Sequence, residues 1–177
     1  MANTDERAVS LIFESYSLKG TARTGWLLRD VKKPESIAAH SFGAALCALI
    51  LSRMEKLNKK DEHALLTLAL LHDLHEARIG DVVPSQKHTL KKGAASRAQK
   101  GMLARTPLAA EALPRHSARL RALLRDSDKL DMLLQAIDYA NGGNRNMAEF
   151  FRSALKQIKS KSGKKLARLA LETKLKK

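Results

Sequence analysis

The residues best suited to chemistry in this sequence are His72-Asp73-Leu74-His75-Glu76, a run of imidazoles and carboxylates placed directly after an apolar stretch ending at Leu71. Charged groups at the edge of a buried segment need a partner, and a cation serves imidazole and carboxylate alike. The spacing predicts a helix through the run, on which His72 and Asp73 project about 100° apart and Glu76 lies one turn on from both. An imidazole and a carboxylate suit Mn, Fe, Co, Ni or Zn, but two ligands alone bind weakly. Further donors must come from elsewhere. His40, in Glu35-Ser36-Ile37-Ala38-Ala39-His40-Ser41, is expected to begin the apolar helix Phe42–Met54, where its ring can turn inward. Asp128, in Asp126-Ser127-Asp128-Lys129-Leu130-Asp131, is expected to open the most regular helix of the second half.

The elements that must position these residues are helices. Glycine and proline number only nine and four and aromatics make up 4%, so a strand-rich fold with its turns and aromatic pairs has little support. Apolar residues recur at helical spacing in Val9, Leu11, Ile12 and Tyr16, in Ile37, Ala44, Ala48 and Met54, and in Leu65, Leu68, Ala69 and Leu71. Later helices are predicted near 94–104, 117–140, 146–159 and 163–175. Lys33-Pro34-Glu35-Ser36 marks a helix start, Asn58 to Asp61 punctuates before the next helix, and Asn141-Gly142-Gly143-Asn144 reverses the chain. The expected architecture is all-α: one helical domain over 1–160 with a metal site between helices, then a basic amphipathic helix or tail over 161–177. That last segment sets Leu166, Leu169, Ala170 and Leu175 on one face, which favours docking or pairing over lying on an anionic surface.

A chain of 177 residues with 44% apolar side chains can bury a core without staples. The lone Cys47, set among Ala45, Leu46, Ala48 and Leu49, cannot form an internal disulfide and reads as a buried thiol in a reducing compartment. The start MANTDERAV does not resemble an export signal, and the apolar runs Phe42–Leu51 and Ala64–Leu71 fall short of the roughly 20 residues of a membrane span. A soluble, cytoplasmic protein is expected. Charge is the unusual feature, with 33 basic against 18 acidic residues, a net +15. The excess lies in two places. No acidic residue occurs between Val82 and Ala110 beside Lys87, Lys91, Lys92, Arg97, Lys100 and Arg105, and from Lys156 to Lys177 nine Lys or Arg face only Glu172. Such a field attracts anions of any kind, nucleotides and nucleic acid included.

Taken in order, His40, then His72-Asp73, then Asp128, each on its own helix, resemble the HD superfamily of metal-dependent phosphohydrolases. More narrowly, Arg23-Thr24-Gly25-Trp26, Glu35-Ser36 before His40, His72-Asp73 followed by Glu76, Gly80-Asp81, and Asp128-Lys129-Leu130 with Gln135-Ala136 resemble its 5′-deoxynucleotidase-like branch, over about residues 7 to 155. The resemblance implies one divalent metal ion per chain (Mn, Co, Mg, Fe, Ni or Zn) held by His40, His72, Asp73 and Asp128, with positions left for water and a phosphate oxygen. It implies Glu76 as the proton-transfer group, Arg23 as a phosphate clamp, Trp26 as a wall of the nucleoside pocket, and Asp81 as a contact to the sugar or an ordered water. It also implies a homodimer.

The chain departs from that pattern at two places. Ala39 stands where the branch carries an acidic residue, and Lys91-Lys92-Gly93-Ala94 to Lys100 replace a Glu-rich helix beside the pocket; Glu111 is a candidate to restore an acidic contact. The first expectation is release of phosphate from (deoxy)nucleoside 5′-monophosphates. A second is hydrolysis of nucleoside triphosphates or alarmone nucleotides, and a third is a degenerate HD domain whose basic segments bind nucleic acid.

Overall fold

The computed structural model of the chain describes residues 3–83, 86, 88, 91–104, 106–108 and 117–174, the side chain of Lys174 excepted. Lys87, Arg105, Glu111, His116 and Leu175 lie outside the described residues. Helix α1 (Thr4–Ser15) leads through a 3-10 turn (Tyr16–Lys19) to the short α2 (Thr24–Leu27). Then come α3 (Ile37–Met54), α4 (Lys59–Leu71), the short α5 (Glu76–Ile79), α6 (Ala94–Leu103), and finally α7 (Ala118–Asn141), α8 (Ala148–Gln157) and α9 (Lys161–Lys174). Among the described residues no strand forms, and one isolated bridge pairs Ala22 with Ser36. The all-helical bundle expected from the sequence is the fold.

Polar caps fix the helix starts that matter. Asn58 accepts from the Asp61 amide ahead of α4, Ser117 from Leu120 ahead of α7, and Ser36 from Ala39 ahead of α3. The Ser36 cap starts α3 at Ile37, so His40 lies inside the first turn of that helix rather than at its beginning. Asp128 is likewise interior to α7 and does not open it. Both shifts place the functional side chains on rigid, fully hydrogen-bonded backbone.

Helix α7 is the axis of the bundle, packing against α3, α4, α8 and α9. Three apolar clusters surround it. One joins Leu51, Leu130, Leu133, Met147 and Ile158; a second joins Leu11, Ile37, Leu74 and Leu103; a third joins Ala48, Leu65, Ala69 and Leu123. Each large side chain removed from water in this way contributes about 1.5–3 kcal/mol. Every functional residue is flanked by such anchors: Ile37 before His40, Ala69 and Leu74 around His72-Asp73, and Leu130 after Asp128.

Among the described residues α3 alone is long and apolar enough, by length and composition, to cross a membrane. It instead carries the buried His40, Ser41 and Ser52 and packs on α4 and α7. Phe42, Leu46, Ile50 and Met54, spaced four apart on its outer side, stay exposed, with Phe42 at 70%.

The basic segment after residue 160 forms α9 and docks. Ala167 is buried in the first cluster, and Leu166, Ala170 and Leu171 pack against it. Asp126 of α7, itself buried, accepts the amide protons of Lys159 at 2.9 Å and Ser160 at 2.7 Å, so its carboxylate caps the entry to α9.

Candidate metal centre

Three elements bring four donors together. From α3 comes His40, from the link between α4 and α5 come His72 and Asp73, and from α7 comes Asp128. His40 Nε2 lies 3.2 Å from His72 Nε2, 3.4 Å from Asp128 Oδ1 and 3.6 Å from Asp73 Oδ2, and His72 Nε2 lies 3.1 Å from Asp73 Oδ2. Two donors bound to one cation at about 2.1 Å and separated by 90–110° sit roughly 3.0–3.4 Å apart. Three of these four separations fall in that range, and the His40–Asp73 distance lies just beyond it. His40, His72 and Asp128 also satisfy a wider test for a shared cation, with one donor atom from each within 4.8 Å of the others.

The far side of each ring is already engaged. His40 Nδ1 lies 2.6 Å from Asp131 Oδ2, and His72 Nδ1 lies 2.7 Å from the carbonyl of Ala69. An acceptor on Nδ1 places the imidazole proton there and leaves the Nε2 lone pair facing the cluster, which is how metal-binding histidines are held. Lys129 does the same for Asp128: its Nζ is 3.0 Å from Oδ2, leaving Oδ1 toward His40. Two imidazole nitrogens and two carboxylate oxygens, three of the four held from behind, fit a divalent metal ion.

Charge agrees with geometry. Burial works to raise the Asp73 carboxyl, yet its bond to His72 and the charges of His72, His40 and Arg23 hold it at about 2. Asp128 is driven well below the usual carboxylate range against its own burial, first by the His40 bond and then by Lys129. His40, which burial alone would lower, is raised to about 9 by its bonds to Asp128 and Asp131. In the cation-free protein the carboxylates thus hold His40 protonated, and a divalent cation seated at its Nε2 would take the place of that proton.

The local backbone differs from the expected continuous helix. Helix α4 ends at Leu71, and residues 72–75 form tight turns before α5 begins at Glu76. The amides of Leu74, Glu76 and Ala77 each bond three residues back, to Leu71, Asp73 and Leu74, which is tighter than α-helical spacing. A side chain from α6 stabilises this break. Gln99 donates to the Leu71 carbonyl at 2.6 Å and accepts from the His75 amide at 3.0 Å. The Leu71 carbonyl thus gains a second donor and the His75 amide an acceptor from one side chain. A cavity of about 260 Å³ opens beside His72, lined by Leu71, His75, Ser96, Gln99 and Leu124 among others.

Glu76 does not join the converging donors but stands next to them. Burial, then the charges of Asp73 and Asp81, push its carboxyl up to about 8 against the pull of Arg23 and His40. Arg23 lies within reach of the same charges. Burial alone would lower its guanidinium, and Glu35, Asp73, Asp128 and Asp81 together hold it above its ordinary value. Its Nη1 is 3.3 Å from Glu35 Oε1. Asp81 follows Gly80, whose φ of +75° favours glycine, and its Oδ2 accepts the Thr24 amide at 2.6 Å while its carbonyl accepts the Thr24 hydroxyl at 2.9 Å. It therefore ties the Gly-Asp turn to the segment carrying Arg23.

Trp26 is placed differently from the expectation. It is 1% exposed, 4.0 Å from the Phe150 ring and 5.1 Å from Tyr139 by ring centres, with its Nε1 donating to Glu35 Oε1 at 2.9 Å. The indole belongs to the core and supports Glu35, instead of lining a pocket. Asp131, Lys129, Gln99 and Glu35 all shape the centre without having been assigned a role in the sequence. Glu35 and Lys129 fall within the motifs quoted above and Asp131 follows Asp128 by one helical turn, whereas nothing local marks Gln99.

Comparison with known proteins agrees with this geometry. The family described as HD domain matches residues 16–170. The chain is similar to the 5′-deoxynucleotidase HDDC2 of Mus musculus, at 30% identity over 149 residues covering 77% of this chain and 72% of that protein. The corresponding protein of Xenopus laevis is 31% identical over 156 residues, covering 80% and 75% of the two chains. A solved structure from Pyrococcus horikoshii superposes with a TM-score of 0.72 at 33% identity, covering 94% of this chain and 97% of that one. With a match that spans both metal-side histidines, the His-Asp turn and Asp128, on a backbone shared with solved relatives, the chain belongs to the HD-domain family.

Proposed function

We propose that this chain is a divalent-metal-dependent phosphohydrolase releasing phosphate from deoxynucleoside 5′-monophosphates. The observation that carries the reading is the convergence of His40, His72, Asp73 and Asp128 on one point beside Arg23 and Glu76. The names of its relatives supply the substrate class. The mixed nitrogen and oxygen donor set favours a transition ion such as Mn, Co, Fe, Ni or Zn over Mg. When bound, that ion supplies Lewis acidity toward a phosphate oxygen.

The protein's own groups divide the remaining work. His40, His72, Asp73 and Asp128 form the cation's seat. Arg23 offers a fixed guanidinium to the phosphate, oriented by Glu35, while the Asp81–Thr24 hydrogen bonds anchor the backbone just after it. Glu76, whose burial favours its protonated form, gives a proton to the departing 5′ oxygen of the sugar, so that the leaving group departs as an alcohol. Water attacks phosphorus and phosphate is released. The cavity beside His72 provides room for the rest of the nucleotide.

A panel of deoxy- and ribonucleoside mono- and triphosphates, assayed for phosphate release with Mn, Co, Mg and Zn, tests this. Release from deoxynucleoside monophosphates with a transition ion, abolished by a chelator, is expected. Release only from triphosphates, or none with any metal, would overturn it. We also infer a homodimer, for which the exposed Phe42, Leu46, Ile50 and Met54 of α3 offer a surface that a second copy could cover. Sedimentation of the wild type against Phe42→Glu checks that pairing.

A further inference from the structure

We propose that Asp131 is the positioning residue of the metal centre, and that Gly43 makes the space through which it reaches His40. This rests on the metal-site reading given above. His40 is completely buried, so no solvent competes for its outer nitrogen, and the acceptor there decides how the ring points. That acceptor is Asp131 Oδ2, at 2.6 Å, from a residue 91 positions away on another helix. Asp131 lies one turn beyond Asp128, so the same face of α7 presents one carboxylate to the front of His40 and a second to its back.

Gly43 lies one turn beyond His40 on α3. A Cβ at this position would fall 1.8 Å from Asp131 Oδ1 and 2.7 Å from its Cγ. Any side chain there would displace the carboxylate or force α3 and α7 apart. The backbone gives no other reason for glycine, because Gly43 sits inside regular helix and is absent from the positive-φ positions. Glycine within a helix is destabilising relative to alanine, so a local cost is tolerated where close approach is gained. Glu35, His40 and Asp131 each place a donor or acceptor atom within 4.8 Å of the others, and His40 Nδ1 lies at hydrogen-bond distance from Asp131. An imidazole whose N–H is held by a carboxylate is a better-oriented and more basic ligand than one without it. Asp131 therefore acts on the cation through His40 and without touching it.

The test is Co²⁺ binding, followed by calorimetry and visible absorption, to the wild type, Asp131→Asn, Gly43→Ala and the double variant, with circular dichroism as the check on folding. Each single variant is expected to bind Co²⁺ about 10- to 100-fold more weakly, with its phosphate release recovering as Co²⁺ is raised. The double variant should be no weaker than the weaker single one, because both changes remove the same contact. Should Gly43→Ala fail to fold, the nearly isosteric Asp131→Asn decides. Unchanged affinity in Asp131→Asn, or additive losses in the double variant, would overturn the positioning role while leaving the metal centre standing. A wild type that binds no Co²⁺ would overturn both.

Discussion

The seam between α3 and α7 and the link between α4 and α5 each present an imidazole to the same point, and they do so by opposite means. His40 is fixed across the seam by Asp131, 91 residues away, in a fully buried setting that requires a glycine one turn along its own helix. His72 is fixed by the carbonyl of Ala69, three residues before it, in a half-buried turn. The first arrangement depends on tertiary packing; the second is mostly local chain geometry, secured from outside by Gln99. A centre built this way has one ligand set by fold and one set by turn, and changes at the two should be felt differently.

The sharpest way to break the comparison is to remove a donor from each side. His40→Ala and His72→Ala should both reduce bound metal from about one ion per chain to nearly none, measured by elemental analysis after dialysis. His40→Ala should also lower the melting temperature, since it leaves a cavity in the core and the half-buried Asp131 without its partner. If His72→Ala destabilised the fold as much, the two regions would not differ as described.

Next in size is Glu76, beside the local turn. Glu76→Gln should keep the metal and lose about 100- to 10,000-fold in turnover. In the cation-free protein the group sits at about 8, and a bound cation draws that value down. An acid donor works in its protonated form, so the rate it supports falls as pH rises through a value at or below about 8. Glu76→Gln should lack that limb in a pH–rate profile.

Gln99→Ala tests the outside support of the turn. Losing both bonds should cost about 1–3 kcal/mol, or some 2–4 °C in melting temperature per kcal/mol, with KM and turnover both worsened while metal affinity at the His40 side is little changed. The smallest effect concerns the basic α6. Lys91 and Lys92 just before α6 and Arg97 and Lys100 within it carry the charge to neutralise, the Arg97 guanidinium keeping its charge while it donates to the Lys92 carbonyl at 2.8 Å. Their combined change to Gln should lower kcat/KM a few-fold at low salt and by less at high salt. An equal loss in kcat would place this segment in the active site itself.

The contrast also accounts for what could be read in advance. The His-Asp pair, Glu76 and the helix limits were legible because local order carries them: residue type, cap and period all lie within a few positions. The limits of α6 and α7 were expected at 94–104 and 117–140 and fall at Ala94–Leu103 and Ala118–Asn141. The break after Leu71 was not legible, because the residue that satisfies it, Gln99, comes from another helix. Asp131 and Gly43 escaped notice for the same reason, each being unremarkable in its own neighbourhood. Trp26 was assigned to the pocket because its motif neighbours bear on the site, while Tyr139 and Phe150, which enclose it, arrive more than a hundred residues later.

That same separation has a consequence in time. A ribosome adding about 5–20 residues per second needs roughly 5–20 s to pass from His40 to Asp131. Throughout that interval α3 has been made and its partner has not. Ala44, Ala48 and Leu51, which α7 later helps to cover, are then presented to water together with Phe42, Leu46 and Ile50 on the other side. The newborn chain thus carries its most apolar helix with the α7-facing side uncovered through that interval, shielded only in part once α4 is made. It is at that stage, before any ion can be seated, that the nascent polypeptide has the greatest need of a chaperone.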